Sequence, residues 1–150
     1  MPKRRKFYHV KLVKEGRPIY AKAISTPSDM AAFFKKKIGN QIQEHFVGVY
    51  LNARNVPIGW RCLSIGSVTA AFLHPREVLL PAIKLAAVSI ILGHNHPSGD
   101  SSPSKDDIEL TSRIVEAGKI MGIEILDHLI ITDGQYLSFK EEGILRGKDR

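Results

Sequence analysis

Two histidines, a serine and an aspartate follow one another closely in the middle of the chain. One residue separates His94 from His96, and Ser104 and Asp107 come shortly after them. Side chains two positions apart in an extended strand point to the same face, so the two imidazoles would stand side by side. Neutral imidazoles and carboxylates are typical ligands of Zn²⁺, and the spacing therefore raises the hypothesis of a metal site.

A second explanation accounts for the same serine and aspartate. Helical periodicity begins at Lys105 and continues to about Met121, and a serine just before a helix is a favoured N-cap. Asp107 would then be the partner of Ser104 in a capping box, or an acid near the helix N-terminus. Its neighbour Asp106 is an equal candidate for that role. The spacing alone leaves metal binding and helix capping open.

Two predicted strands would hold these groups. An apolar run ends at the histidines and indicates a buried strand over 88–92. Glu44 immediately precedes a second apolar segment, 45–51, whose hairpin partner is predicted at 56–65. From the residues alone, Glu44 is interpreted as a solvated acid at the end of a strand.

The rest of the chain alternates between strand and helix patterns. Thr26 and Pro27 indicate the beginning of the first helix, and Gly39 indicates its end. Because strands and helices alternate and several strand pairs are hairpins, we expect an α/β fold with a mixed sheet and helices on both faces. The further strands are predicted at 7–13, 18–24, 123–132 and 135–139, and the helices at 27–38, 75–86 and 105–121.

Glu77 and the pair formed by Asp127 and His128 are further candidates for chemistry. By residue type Glu77 is a rival general base, but its place in the first turn of a predicted helix favours a structural interpretation. Asp127 and His128 are consecutive in a strand, so their side chains point to opposite faces and do not form a ready catalytic pair. One of the two supports a metal site, or His128 is a hydrogen-bonded structural histidine; the sequence leaves both open.

The composition is that of an ordinary globular domain. Of the 150 residues, 43% are hydrophobic and 25% are charged, which suits one domain with a proper core. No apolar run approaches the roughly 20 residues that a transmembrane helix needs, and the basic N-terminus lacks the apolar segment of a secretory signal. The single cysteine, Cys62, excludes an intrachain disulfide, so we expect a cytoplasmic protein.

Positive charge is concentrated in the first third of the chain. Residues 1–54 contain 12 Lys and Arg against three acidic residues, whereas the remainder contains 10 against 12. A basic region of this kind can bind nucleic acid or an acidic protein, but it is equally consistent with solubility alone. We expect a disordered basic arm at 1–6, a domain at 7–143 and a frayed charged tail at 144–150.

The sequence resembles a known family at the two histidines, the serine and the aspartate in the middle of the chain. His94, His96, Ser104 and Asp107, in this order, resemble the JAMM metal motif of the JAB/MPN superfamily. Longer strings are similar to its RadC branch specifically: HNHPSGDSSPSKDD in the centre, HPRE before it and DHLII after it. These strings are long and specific, so metal binding becomes the favoured interpretation.

The resemblance covers most of the chain, from about Ser25 to Gly143, and implies a fold. The JAB/MPN fold is a three-layer α-β-α arrangement around a mixed sheet, akin to the architecture of cytidine deaminases. It also implies a zinc hydrolase of peptide or isopeptide bonds with a peptide or protein substrate. For the RadC branch the substrate does not follow from the motif, and the oligomeric state stays open.

The resemblance also implies a role for each site residue. His94, His96 and Asp107 would bind Zn²⁺, and Glu44 would activate the water as general base. Ser104 would donate a hydrogen bond to the oxyanion. An alternative is a nucleic-acid-associated protein, either a metal-dependent nuclease or a binding module, because RadC-like proteins carry a DNA-repair label and the first third is basic. Against this alternative, the sequence contains no recognised DNA-binding motif.

Overall fold

The structure, a computed structural model, describes residues 22–67 and 73–147. The basic arm expected at 1–6 and nearly all of the hairpin predicted at 7–24 lie outside these ranges. The described residues form three helices and five strands. In chain order they are α1 (Pro27–Ile38), β1 (His45–Leu51), β2 (Pro57–Ile65), α2 (Pro75–Leu85), β3 (Ser89–Asn95), α3 (Lys105–Met121), β4 (Glu124–Ile131) and β5 (Tyr136–Ser138).

The five strands form one mixed sheet in the order β2-β1-β3-β4-β5. Strand β1 is antiparallel to both β2 and β3, and β5 is antiparallel to β4. Strands β3 and β4 run parallel and are connected through α3. The predicted hairpins β1–β2 and β4–β5 and the mixed α/β sheet are therefore confirmed.

Helices cover both faces of the sheet. On one face Phe34 and Ile38 of α1 pack with Val47 of β1 and Ile91 of β3. Close packing on this face requires Gly93, because a Cβ there would lie 2.5 Å from atoms of the Phe34 ring. Helix α1 is thus held directly over β3, the strand that leads to the two histidines.

The opposite face carries the alternate residues of the same strands. Phe46 of β1 and Leu92 of β3 pack with Val78 of α2 and Leu110 of α3. Burying each such side chain contributes roughly 1.5–3 kcal/mol relative to leaving it exposed. One helix on one face and two on the other make the three-layer arrangement that was expected.

Local sequence signals fix where the helices begin and end. Helix α1 begins after Thr26, the predicted cap, whose side chain forms a capping box with Asp29. Helix α2 begins at Pro75 and continues through Pro81 to Leu85. Helix α3 ends at Gly122, whose φ of 70° lies in the left-handed region that favours glycine. No helix within the described ranges is long and apolar enough to cross a membrane.

Strand β3 is longer than its apolar run predicts. It continues to Asn95, so that His94 lies inside the strand and only His96 follows it. The extension arises because His94 is paired on both sides, with Phe46 of β1 and with Ile130 of β4. The backbone hydrogen bonds to both neighbouring strands keep these last residues in the strand, although their polar side chains end the apolar pattern.

Candidate metal centre

Three ligand-type side chains meet at the end of β3 and the beginning of α3. One nitrogen each of His94 and His96 and one carboxylate oxygen of Asp107 lie within 4.8 Å of one another. His94 reaches this point from β3, His96 from the residue just after that strand, and Asp107 from the first turn of α3. The structure therefore brings together all three residues that the sequence motif proposes as metal ligands.

Each histidine is oriented by its surroundings. The buried ring of His94 stacks on Phe46 of the neighbouring strand, with ring centroids 5.8 Å apart. His96 lies beyond the strand, where its backbone N–H donates to the carbonyl oxygen of Ile131. Its Nδ1 lies 2.8 Å from the carbonyl oxygen of Asp100, which can only accept, so Nδ1 carries the proton. In the neutral ring, the Nε2 lone pair of His96 is therefore directed into the cluster.

Asp107 is oriented by a capping box. Its Oδ2 accepts the N–H of Ser104 at 2.8 Å, and the Ser104 hydroxyl accepts the N–H of Asp107 at 3.0 Å. The same carboxylate places Oδ1 3.3 Å from Nε2 of His94 and Oδ2 3.2 Å from Nε2 of His96. Helix capping and a ligand position are thus two uses of one side chain. Its neighbour Asp106 is exposed and takes neither place.

The spacing of the three groups fits a small tetrahedral cation. Ligand atoms at the usual zinc distance of about 2.0–2.1 Å lie about 3.3 Å from one another. The two nitrogen–oxygen distances match this value, whereas the Nε2 atoms of His94 and His96 are 2.8 Å apart. Two neutral nitrogens that close repel each other unless a proton or a cation lies between them. These residues could therefore hold a metal ion after the imidazoles separate by about 0.5 Å.

Electrostatics within the cluster keep the aspartate anionic. Burial alone would raise the pKa of the Asp107 carboxyl, but the hydrogen bonds from His94 and His96 hold that pKa well below its usual range. The hydrogen bond to Asp107 in turn raises the pKa of His96, and the Asp100 carbonyl adds to this shift. An anionic oxygen beside two imidazoles is a suitable environment for a divalent cation.

Glu44 approaches the cluster from the segment before β1. Its Oε1 lies 3.8 Å from Nε2 of His96, and its side chain is 30% exposed. The segment is held by Asn95, whose Oδ1 accepts the N–H of His45 at 2.6 Å and whose Nδ2 donates to the carbonyl oxygen of Gln43 at 2.9 Å. The rival acid Glu77 is exposed in the first turn of α2, as expected of a structural helix acid.

Ser104 lies at the edge of the cluster as the N-cap of α3. Its hydroxyl oxygen accepts a hydrogen bond from the N–H of Asp107, and this leaves the hydroxyl proton available for another group. The capping role that the sequence offered as an alternative is therefore present. It does not compete with the donor role that the resemblance implies, because one hydroxyl can accept and donate together.

Behind the cluster lies a buried hydrogen-bond network around His128, whose role the sequence left open. His128 faces the same side of the sheet as His94, and its Nε2 lies 2.6 Å from Nδ1 of His94. Its Nδ1 lies 2.6 Å from the hydroxyl oxygen of Thr111, which donates to the carbonyl oxygen of Asp107 at 2.7 Å. Burial lowers the pKa of His128 well below its usual value, so the ring is neutral. Of the two open interpretations, His128 satisfies both, because it is buried and hydrogen-bonded directly to a candidate ligand.

Sequence reasoning missed Asn95 and Thr111 as residues that support the site. Asn95 lies between two same-face histidines, and a polar side chain facing the other way in a buried strand needs hydrogen-bond partners. Thr111 lies four residues after Asp107 and therefore on the same side of α3. Both positions can be noticed in the sequence, but the sequence does not identify the groups to which these side chains form hydrogen bonds.

One member of the cluster, His96, borders a cleft where β3 and β4 end. Asn95 and Pro97 line this cleft together with the loop 39–42 that follows α1. A larger groove of about 1100 Å³ lies at the opposite end of these strands, near Ser89 and Glu124. That groove contains none of the candidate ligands, so its size does not identify it as the reactive site.

Comparison with known proteins gives one family and a consistent set of relatives. The family model for the RadC-like JAB domain matches residues 24–144. A UPF0758 protein of Rubrobacter xylanophilus is 47% identical over 130 residues, which is 87% of this chain and 55% of that protein. UPF0758 proteins of Geobacillus sp. (strain WCH70) and Bacillus mycoides are 50% and 49% identical, over 80% and 81% of this chain. The chain spans about half the length of these relatives.

Proposed function

This chain belongs to the RadC-like JAB domain family, and we propose that it is a zinc-dependent hydrolase of amide bonds in peptides or proteins. The family suggests a metal-dependent hydrolase. The observation that carries the proposal is the convergence of two imidazoles and one carboxylate, with a second carboxylate 3.8 Å from the nearer imidazole. Three protein ligands leave one position of a tetrahedral zinc ion for water, which is typical of catalytic rather than structural sites.

His94, His96 and Asp107 would hold the ion. When bound, zinc lowers the pKa of a water molecule toward about 7 and polarises a carbonyl group. His94 comes from a buried strand and Asp107 from a capped helix, whereas His96 follows the strand. Two of the three positions are therefore fixed by regular structure, and the separation of the imidazoles by about 0.5 Å would accompany the arrival of the ion.

Glu44 is assigned as the general base. Its carboxylate is close to the candidate ligands but is not one of the three, and its partial exposure leaves it accessible to water. It would accept the proton of the attacking water and return it to the leaving amine. Asn95 holds the segment around Glu44 from the opposite face of β3, so the carboxylate keeps its distance from the ligands.

Ser104 is assigned as a donor to the oxygen of the tetrahedral intermediate. Its hydroxyl lies beside Asp107 at the N-terminus of α3, and the hydroxyl proton is not used by the capping hydrogen bond. Removing such a donor from other enzymes costs about 10²–10³-fold in rate. The N-terminal end of α3 adds partial positive charge on the same side.

A second function, binding to nucleic acid, is favoured by one observation. Lys35, Lys36 and Lys37 form the last turn of α1, and all three are exposed. The loop 39–42, which follows these lysines in the chain, lines the cleft at His96. Affinity based on phosphate contacts must fall steeply as salt is raised. Absence of binding at low salt, or binding that ignores salt, contradicts this function.

A substrate screen tests the proposed function. The zinc-loaded protein is offered isopeptide-linked, peptide and DNA substrates beside the Glu44→Gln variant. The proposal predicts cleavage of an amide bond by the wild type and its loss in the variant. Cleavage of DNA that depends on Glu44 would replace the amide assignment with a nuclease. Cleavage of any substrate at equal rates in both proteins would remove Glu44 as the base.

A further inference from the structure

A series of hydrogen bonds leads from Nδ1 of His94 through buried side chains to the backbone of Asp107. Nδ1 of His94 is 2.6 Å from Nε2 of His128, and Nδ1 of His128 is 2.6 Å from Oγ1 of Thr111. Oγ1 of Thr111 is 2.7 Å from the carbonyl oxygen of Asp107. All four residues are buried. The series therefore connects two of the three candidate ligands through groups that water does not reach.

The acceptor at the end of this series fixes the position of every proton in it. A carbonyl oxygen only accepts, so the Thr111 hydroxyl donates its one proton to Asp107. The hydroxyl oxygen must then accept from Nδ1–H of His128. A neutral imidazole has a single N–H, so Nε2 of His128 accepts from Nδ1–H of His94. In the neutral ring of His94, the form that binds a metal ion, the lone pair is consequently left on Nε2, the nitrogen beside His96 and Asp107.

The surroundings of His128 enforce its neutral form. Its ring is 0% exposed and stacks on Phe139, with centroids 4.5 Å apart. Phe46 meets the same ring edge-on at 5.3 Å. A charge on a ring that water does not reach is strongly unfavourable. A cationic ring would also place a proton on Nε2 and reverse the order of donors and acceptors.

We propose that Thr111 and His128 are positioning residues that hold His94 in the Nδ1–H tautomer and thereby strengthen metal binding at Nε2. The proposal rests on the metal site of the proposed function. His96 reaches the same tautomer through a backbone carbonyl, that of Asp100. His94 lies inside the sheet, where its neighbours' carbonyl groups are engaged in the ladders, so side chains supply the acceptor instead.

Zn²⁺ affinity measured by competition with a chelating indicator tests the proposal. Thr111→Val keeps the shape of the side chain but removes both bonds of the hydroxyl, and loss of such supporting bonds lowers metal affinity about 10–100-fold. Thr111→Ser retains the hydroxyl and should restore affinity to near the wild-type value. Thr132→Val is the matched control, because Thr132 is also buried and donates to a backbone carbonyl, that of Gln135. This control should bind zinc as the wild type does.

The tautomer itself gives a readout that packing alone would not change. In metal-free protein at slightly alkaline pH, ¹⁵N-detected NMR of the ring nitrogens should place the proton of His128 on Nδ1 in the wild type and in Thr111→Ser. Thr111→Val should shift that proton toward Nε2. A wild-type His128 protonated on Nε2, or unchanged zinc affinity in folded Thr111→Val, overturns the proposal.

Zinc binding and the tautomer of His128 are measured independently of each other. A wild-type protein that binds no zinc would remove the proposed function, whereas the NMR measurement would still decide the tautomer of His128. If Thr111→Val does not fold, the wild type and Thr111→Ser still give that tautomer. A correct tautomer together with reduced affinity in the valine variant supports the positioning role.

Discussion

The side-chain oxygen of Asn95 accepts a 2.6 Å hydrogen bond from the backbone N–H of His45, fifty positions earlier in the chain. The amide nitrogen of Asn95 donates to the carbonyl oxygens of Gln41 and Gln43. One buried side chain thus bridges the strand of the two histidines and the segment of the candidate base. The backbone placement of Glu44, between Gln43 and His45, follows from these bonds.

Replacing Asn95 by alanine should separate the base from the metal ligands without emptying the site. The substitution removes part-buried hydrogen bonds, which lowers the free energy of unfolding by about 0.5–1.5 kcal/mol per bond. A base displaced by about 1 Å costs roughly 100-fold in rate. Zinc content should stay at the wild-type level, because Asn95 faces away from the ligands. Chemical denaturation, metal analysis and turnover measure the three effects.

A double variant tests whether Asn95 acts through Glu44. In a Glu44→Gln background, Asn95→Ala should cause no further loss of rate, since residues that act through one group are not additive. An equal loss in both backgrounds, or loss of zinc from the single variant, would assign Asn95 a different role.

Glu44→Gln should keep the fold and the zinc while losing turnover. Glutamine has the size of glutamate but cannot accept the proton of water at neutral pH, and loss of a general base typically costs about 10²–10⁴-fold. Glu77→Gln is the matched control, because Glu77 is an exposed acid in the first turn of α2. Full turnover in Glu44→Gln together with its loss in Glu77→Gln would transfer the role of base to Glu77.

Gly93→Ala should destabilise the protein through α1. A Cβ at this position would meet the Phe34 ring at 2.5 Å, and Phe34 is fully buried. Overpacking of this kind costs about 1–3 kcal/mol. Gly134→Ala is the control, because the space beside Gly134 is open and its φ is not in the left-handed region. Equal unfolding midpoints for the two variants would show that α1 is not packed closely on β3.

Local signals were sufficient to predict most of the fold within the described ranges. The Thr26–Pro27 cap, the apolar face of α3 and the turn at 133–134 each depend on neighbouring residues, so short segments of sequence predict them. Strand β3 was predicted too short because its last residues are polar. Their strand conformation is stabilised by pairing with β1 and β4, which no local pattern contains.

In the candidate site, too, local features were predictable from the sequence, whereas contacts between distant segments were not. The spacing of His94, His96 and Asp107 is local, and the structure brings the three together as their motif suggests. The contact between His94 and His128 joins residues 34 positions apart and depends on the register of β3 against β4. Sequence spacing could not choose that register. From the sequence, helix capping and metal binding were alternative roles for Asp107. In the structure one carboxylate, with two oxygens, is placed to serve both.

Zinc content per chain, measured on purified protein after zinc loading and removal of free metal, tests the metal site most directly. We expect one zinc ion in the wild type and none in the His94→Ala, His96→Ala double variant. Asp107→Ala should lose the ion, and Asp106→Ala, changed in the same helical turn, should keep it. Full zinc content in the double variant, or an empty wild type, would contradict the assignment of these residues as the metal site.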